Sequence, residues 1–347
     1  MSQITGPAPG TVFPRLSWVD DLLVPALRAA VADLPEAERR AAGYHRGWWA
    51  ADGTPLTAVA GRGKTVRPAL AMLCAVAVGG TPRDALPGAV AVELVHDFTL
   101  LHDDVMDGDA LRRHRPAVWS VFGTPSAILT GDALMAAAMR EVSEVPPRLA
   151  PAAVQELVRA LLDLVEGQSH DVAFEDTAEV TVAQYLAMAE GKTGSLMGCA
   201  CALGGVLAGA DAERVRGLRE FGRRLGVAFQ CADDLLGIWG RTARSGKPVG
   251  ADLTARKKSL PVVAALAGTD SAADLLRSLY ASPRPLSEED TRRARELVEK
   301  AGGRQAAEDE ARRQMSAALR ALSCARPTAD AYRQLQEIAA TMIRRDS

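Results

Sequence analysis

The 347-residue chain predicts an all-α fold, a single-domain bundle of ten or more helices. Three observations carry this. Apolar residues recur at three- and four-residue spacing through most of the chain. No run of β-branched residues alternates with period two, and alanine is abundant. The composition is 48% apolar, enough for a large core. Length alone would admit two domains, but one bundle is the more economical reading.

Residues 1–15 are rich in Gly and Pro and are expected to form a flexible tail before a domain spanning 16–347. They lack a basic region followed by an apolar one, so a signal peptide is not expected. From Leu16 to about Leu34 the spacing predicts an amphipathic helix. Tyr44–Gly63 is less regular, with Trp48 and Trp49 expected to pack a loop. Pro68 then opens an apolar helix over Ala69–Val78, and a Gly79-Gly80-Thr81-Pro82 turn leads to a long apolar helix at about Leu86–Gly108. Further helix is expected over Val118–Phe122, Ser126–Arg140 and Ala152–Glu175. Thr181 caps the next helix, which ends near Glu190. Gly191-Lys192-Thr193-Gly194 interrupts the pattern before a buried helix, Ser195–Ala208. Glu213–Trp239 is one long helix. From Leu260 helices alternate with short breaks to a last helix at Ala329–Arg345.

The totals exclude some functions. A net charge of −2 carries no basic excess, which argues against a nucleic-acid partner. The longest apolar run, Leu196–Ala210, is too short for a spanning helix and is broken by Gly198, Gly204 and Gly205, so no stable membrane insertion is expected. Five cysteines without paired motifs fit a reducing, cytoplasmic setting. Cys199 and Cys201 are read as small core residues.

Chemistry concentrates in His96–Arg115. There an apolar helix runs into Asp103, Asp104 and Asp107, and Arg112 and Arg113 follow. Asp103 and Asp107 share a helical face. Two like charges ~5 Å apart at an effective dielectric of ~20 repel by roughly 3 kcal/mol, so the group asks for a cation. Oxygen ligands without a cysteine or a close histidine pair favour Mg²⁺ over zinc. A second knot, Asp233-Asp234, lies inside an apolar helix, where unpaired charge is costly. The segment 241–259 follows with Lys247, Arg256, Lys257 and Lys258. Gly63-Lys64-Thr65 and Gly191-Lys192-Thr193 each look like the end of a phosphate loop. Both lack its first glycine, since positions 58 and 186 are Ala and Leu. What remains near Lys64 and Arg67 is a pair of cations at the mouth of a helix, which could hold an anion. Two acidic knots, separated cations and apolar helices together suit a diphosphate with a hydrocarbon tail.

The motifs in order resemble the polyprenyl synthetase family, the head-to-tail trans-isoprenyl diphosphate synthases, over about Gly61–Pro261. They are Gly63-Lys64-Thr65-Val66-Arg67-Pro68; Asp103-Asp104-Val105-Met106-Asp107 with Arg112-Arg113; Gly167 to Asp171; Lys192-Thr193-Gly194; Phe229 to Asp234; Gly246-Lys247-Pro248; and Lys257 to Pro261. The resemblance implies an isoprenoid synthase type I bundle around a central cavity and a homodimer. It implies about three Mg²⁺ ions, two bridged by Asp103 and Asp107 and one on Asp233, with Asp104, Asp171 and Asp234 in support. Arg112, Lys192, Lys247 and Lys257 would bind the allylic diphosphate. Gly63, Lys64, Arg67, His96 and Arg113 would bind isopentenyl diphosphate. Thr193 and Gln230, with Lys192, would line the path of the carbocation. Phe98 and Thr99, five and four residues before Asp103, would set the pocket floor, and their pattern resembles the members that make C20 geranylgeranyl diphosphate.

Three departures from the family pattern stand out. Gly237 occurs where many members carry a third aspartate, Trp119 where a histidine is common, and His96 where glutamine is frequent. A class I terpene cyclase would share the first motif but needs no isopentenyl diphosphate site. A regulatory subunit of a heteromeric synthase would commonly lose an acidic motif. Lys64, Arg67 and Asp233-Asp234 favour the transferase over both.

Overall fold

The structure, a computed structural model, describes residues 17–56, 65–240, 250–282 and 284–343. The expected tail, Gly63, Lys64, Lys247 and the last two arginines lie outside the described residues. The helices are α1 (Ser17–Ala32), α2 (Glu36–His45), α3 (Val66–Ala77), α4 (Leu86–Met106), α5 (Val118–Phe122), α6 (Thr124–Ser143), α7 (Ala150–Asp176), α8 (Val182–Ala189), α9 (Ser195–Leu207), α10 (Ala212–Trp239), α11 (Ala251–Thr254), α12 (Leu260–Leu266), α13 (Ser271–Tyr280), α14 (Glu288–Lys300), α15 (Gly303–Cys324) and α16 (Ala329–Ile343).

The bundle is layered about two long helices that end in the acidic knots. α4 packs on α6 and α3, and α10 packs on α9 and α15. Every residue of α9 is buried, which explains its unbroken apolar character. Glycines let these helices approach closely: a Cβ at Gly222 would lie 2.4 Å from the Met197 carbonyl oxygen, and one at Gly204 would lie 2.2 Å from that of Ala71. Thr181 caps α8 as expected, in a reciprocal capping box with Gln184.

Two features differ from expectation. Leu111–Arg112 (β1) and Arg115–Pro116 (β2) form a small antiparallel ladder, although no strand was expected. Two residues per strand are too few to show alternation. The turn is made by Arg113 and His114 at φ 53° and 63°, without the Asn-Gly signature of such turns. The break at Glu190–Gly194 is a π turn, so α8 and α9 are continuous through it.

Candidate active site

The first acidic motif occupies the last turn of α4, with Asp107 as its C-terminal cap. Its three carboxylates have different surroundings. Asp104 is buried, and the Arg112 guanidinium donates to its Oδ1 through Nε at 2.7 Å and through Nη2. Asp104 thereby holds the β1–β2 hairpin beneath α4. Trp119 secures the other side by donating its indole N–H to the Asp109 carbonyl at 2.9 Å, which accounts for the unexpected tryptophan. Asp103 precedes Asp104 on α4. Burial pushes its carboxyl up to about 6; Lys192 and Arg112 oppose the rise, and Asp107 and Asp171 add to it. Burial likewise raises Asp107, against Lys192.

The π turn brings the third segment to the same place. The Lys192 ammonium donates to Asp171 Oδ2 at 2.6 Å. Thr193 donates its hydroxyl to Gln230 Oε1 at 2.9 Å. Gly167 and Gly191 make this approach feasible, because a Cβ at Gly167 would lie 2.2 Å from the Lys192 backbone nitrogen. Sequence reasoning placed Lys192, Thr193, Asp171 and Gln230 in one site, and the fold brings them together.

In the second motif Asp233 is exposed while Asp234 is buried. Asp234 accepts from Gln230 Nε2 at 3.0 Å, from the Leu260 N–H at 2.7 Å and from the Tyr185 hydroxyl. Burial still pushes its carboxyl up to about 6 against these donors. Asp234 therefore ties α8, α10 and α12 together behind Asp233. Gly237 has a positive reason to be glycine. Its missing Cβ would lie 1.9 Å from Asp252 Oδ2, so a carboxylate from α11 lies against the position where the family resemblance leads one to expect a third aspartate. Lys257 completes the cluster. Burial lowers its pKa, but Asp171, Asp234, Asp252 and Asp107 outweigh this and raise it. Among the described residues no three carboxylate, His or Cys side chains converge into a ready-made metal site.

A second, basic cluster lies beside α4. Arg46 donates to Asp97 Oδ2 at 2.5 Å and to Glu93 Oε1 at 3.0 Å. Arg67, His96 and Arg113 surround this pair. Among the described residues, Arg67 Nε is buried without a hydrogen-bond partner. Burial lowers the His96 pKa well below its usual value; Arg67 lowers it further, Asp97 opposes, and Arg113 and Arg46 add to the lowering. Three arginines against two carboxylates leave a surplus positive charge here. Sequence reasoning missed Arg46, Glu93 and Asp97. Their signal was two carboxylates one turn apart in an otherwise apolar helix.

Phe98 is buried about one and a half turns before the acidic motif. It meets the His102 ring edge-on, with centroids 4.8 Å apart. His102 donates from Nε2 to the Ile128 carbonyl of α6 at 3.1 Å. The imidazole occupies the space over Gly131, where a Cβ would lie 2.3 Å from Nε2. Thr99 turns its hydroxyl back to the His96 carbonyl at 2.8 Å.

A sequence model described as Polyprenyl synthetase matches residues 54–298. The chain is 50% identical over 299 residues to a geranylgeranyl diphosphate synthase of Mycobacterium tuberculosis, covering 86% of this chain and 85% of that one. It is 41% identical over 307 residues to a (2E,6E)-farnesyl diphosphate synthase of the same organism, covering 88% and 85%. The crystal structure of polyprenyl synthetase from Streptomyces coelicolor A3(2) superposes with a TM-score of 0.90 at 43% identity, covering 94% of this chain and 98% of that one.

Proposed function

The chain belongs to the polyprenyl synthetase family and is a prenyltransferase, and from that premise we propose that it joins isopentenyl diphosphate to an allylic diphosphate and stops at C20, geranylgeranyl diphosphate. One observation carries this reading. Lys192 and Thr193, on a single π turn, reach Asp171 and Gln230, and the Lys192 charge also acts on Asp103 and Asp107, so the turn lies near both acidic motifs. The product length rests on Phe98, which would form the floor for the growing chain about 7.5 Å along the α4 axis from Asp103.

The donors suit Mg²⁺: Asp103 and Asp107 would hold two ions and Asp233 a third. The raised pKa values of Asp103 and Asp107 describe oxygens that gain from added positive charge. Asp104 through Oδ1, and Asp234 through both of its oxygens, instead accept from protein donors and act in support, as does Asp171. Bound magnesium would supply the charge that makes diphosphate a good leaving group.

The residues then divide the work. Arg112, Lys192, Lys247 and Lys257 hold the departing diphosphate, which lowers the barrier to breaking the allylic C–O bond. The oxygens of Thr193 and Gln230 face the positive charge that develops on the allylic carbon. Lys64 with Gly63, Arg67, His96 and Arg113 hold isopentenyl diphosphate with its double bond toward that carbon. The double bond attacks, the new C–C bond forms, and the proton lost from the adjacent carbon passes to the released diphosphate. Closure must exclude water, which would trap the cation as an alcohol.

A homodimer fits the surface. Leu129 on α6 and Val158, Leu162, Val165 and Val172 on α7 are exposed apolar side chains, and those on α7 recur at helical spacing. A second copy of the same face would cover them. No described helix is long and apolar enough to cross a membrane, and the five cysteines are free, as a reducing cytoplasm would keep them. Labelled isopentenyl diphosphate tests the reading. Incorporation should require both a divalent cation and an allylic primer. Release of a cyclic hydrocarbon from the primer alone would support a lyase instead.

A further inference from the structure

Arg223 of α10 is not among the residues assigned above to substrate, yet it sits at the root of the π turn. Its Nε donates to Glu190 Oε1 at 2.8 Å, and its Nη1 donates to Asp163 Oδ2 at 2.6 Å. Glu190 is the first residue of the turn, and Asp163 lies on α7 two turns before Asp171. One guanidinium thus joins α10, α7 and the start of the segment that carries Lys192 and Thr193. The two carboxylates it joins are held near each other by that cation and would repel without it.

The turn needs such a tie. A π turn carries one residue more than an α-turn with poorer hydrogen bonds. Relaxing it to regular helix would rotate the side chains beyond it by about 100° per residue lost. Lys192 and Thr193 could not then address Asp171 and Gln230 together. The backbone around the turn is packed to contact on two sides. A Cβ at Gly191 would lie 2.8 Å from the Asp163 carbonyl oxygen, and one at Gly194 would lie 2.9 Å from that of Arg223. These contacts limit where the turn can go, and the Arg223–Glu190 pair sets the register in which it enters.

We propose that Arg223 is a positioning residue: by clamping Glu190 to Asp163 it fixes the register of the π turn, and so aims Lys192 and Thr193 at the allylic diphosphate. This rests on the assignment of Lys192 to that diphosphate. A neighbouring pair supplies the control. Arg219, one turn earlier on α10, makes an equally close bidentate bridge to Glu156 of α7, with Nε 2.8 Å from Oε2 and Nη2 2.5 Å from Oε1, but that bridge does not reach the turn.

The test is steady-state kinetics with each substrate varied separately, beside thermal unfolding, for Arg223→Gln, Arg223→Lys, Glu190→Gln, Arg219→Gln and Lys192→Ala. Arg223→Gln and Glu190→Gln should raise KM for the allylic diphosphate about tenfold and lower kcat/KM up to a hundredfold. KM for isopentenyl diphosphate should stay within about twofold of wild type, and Arg223→Lys should recover part of the loss. Arg219→Gln should lower Tm comparably without the allylic effect. Equal losses for both substrates, or an allylic KM in Arg223→Gln equal to that of Arg219→Gln, would overturn the proposal. An unchanged allylic KM in Lys192→Ala would instead overturn the assignment of Lys192, which separates the two failures.

Discussion

Gly237 and Asp252 share one space: a Cβ on the first would lie 1.9 Å from Oδ2 of the second. The departure from the third aspartate therefore comes with a carboxylate from the neighbouring helix at the same place. Glycine inside α10 costs about 1 kcal/mol of helix propensity relative to alanine, so filler alone would not retain it.

Gly237→Ala follows directly. The displaced atom is the end of a short side chain, so it can swing aside at little cost to the fold. Stability should hold within about 1 kcal/mol, because helix propensity offsets the clash. Activity should fall, by roughly ten- to a hundredfold, as Asp252 leaves its position beside Lys257. Melting curves and kcat/KM together decide the matter. A more stable variant with full activity would mean that Asp252 has no function at that place.

Phe98→Ala should lengthen the product beyond C20 by removing the floor. Gly131→Ala should do so more weakly, because the new methyl would meet the His102 ring that backs Phe98. Chromatography of the dephosphorylated products reads both. Unchanged chain length in Phe98→Ala would remove Phe98 from the floor.

His96 carries a pH consequence. Its pKa in the folded chain lies well below the usual value, so it stays neutral when folded and takes up a proton when unfolded at mildly acid pH. A base with a depressed folded pKa contributes stability that is present above its unfolded pKa and is lost as pH falls through it. Lowering pH from 7.5 to 5.5 should therefore reduce Tm more in the wild type than in His96→Gln. Equal losses would show that another group governs this window.

The exposed stripe on α7 predicts assembly. Leu162→Glu combined with Leu129→Glu should shift the protein from dimer to monomer in light scattering coupled to gel filtration. Charge at an apolar interface costs more than its solvation can return. A wild type that is monomeric at micromolar concentration would discard the stripe as a self-interface.

Much of this arrangement was legible in the residues. Helical spacing located α4, α7, α9 and α10 to within a few residues, because each buries a broad apolar face. The acidic knots stood out because charge inside an apolar helix needs a reason. The hairpin at Arg113-His114 was hidden by its brevity. The interruption at Lys192 was visible, but its π geometry was not, since glycine marks many kinds of break. The partners Tyr185–Asp234 and Arg46–Asp97 lie 49 and 51 residues apart, and no local pattern announces a bond at such separation.

The most direct measurement incubates the purified protein with Mg²⁺, labelled isopentenyl diphosphate and a C15 allylic primer, and separates the products by length. One condensation, giving a C20 diphosphate as the dominant product, is the expected result if Phe98 sets the floor. A series running on to C25 and beyond, or no condensation onto the C15 primer beside efficient conversion of C10 to C15, would contradict a clamp at Asp103 and Asp233 with its floor at Phe98.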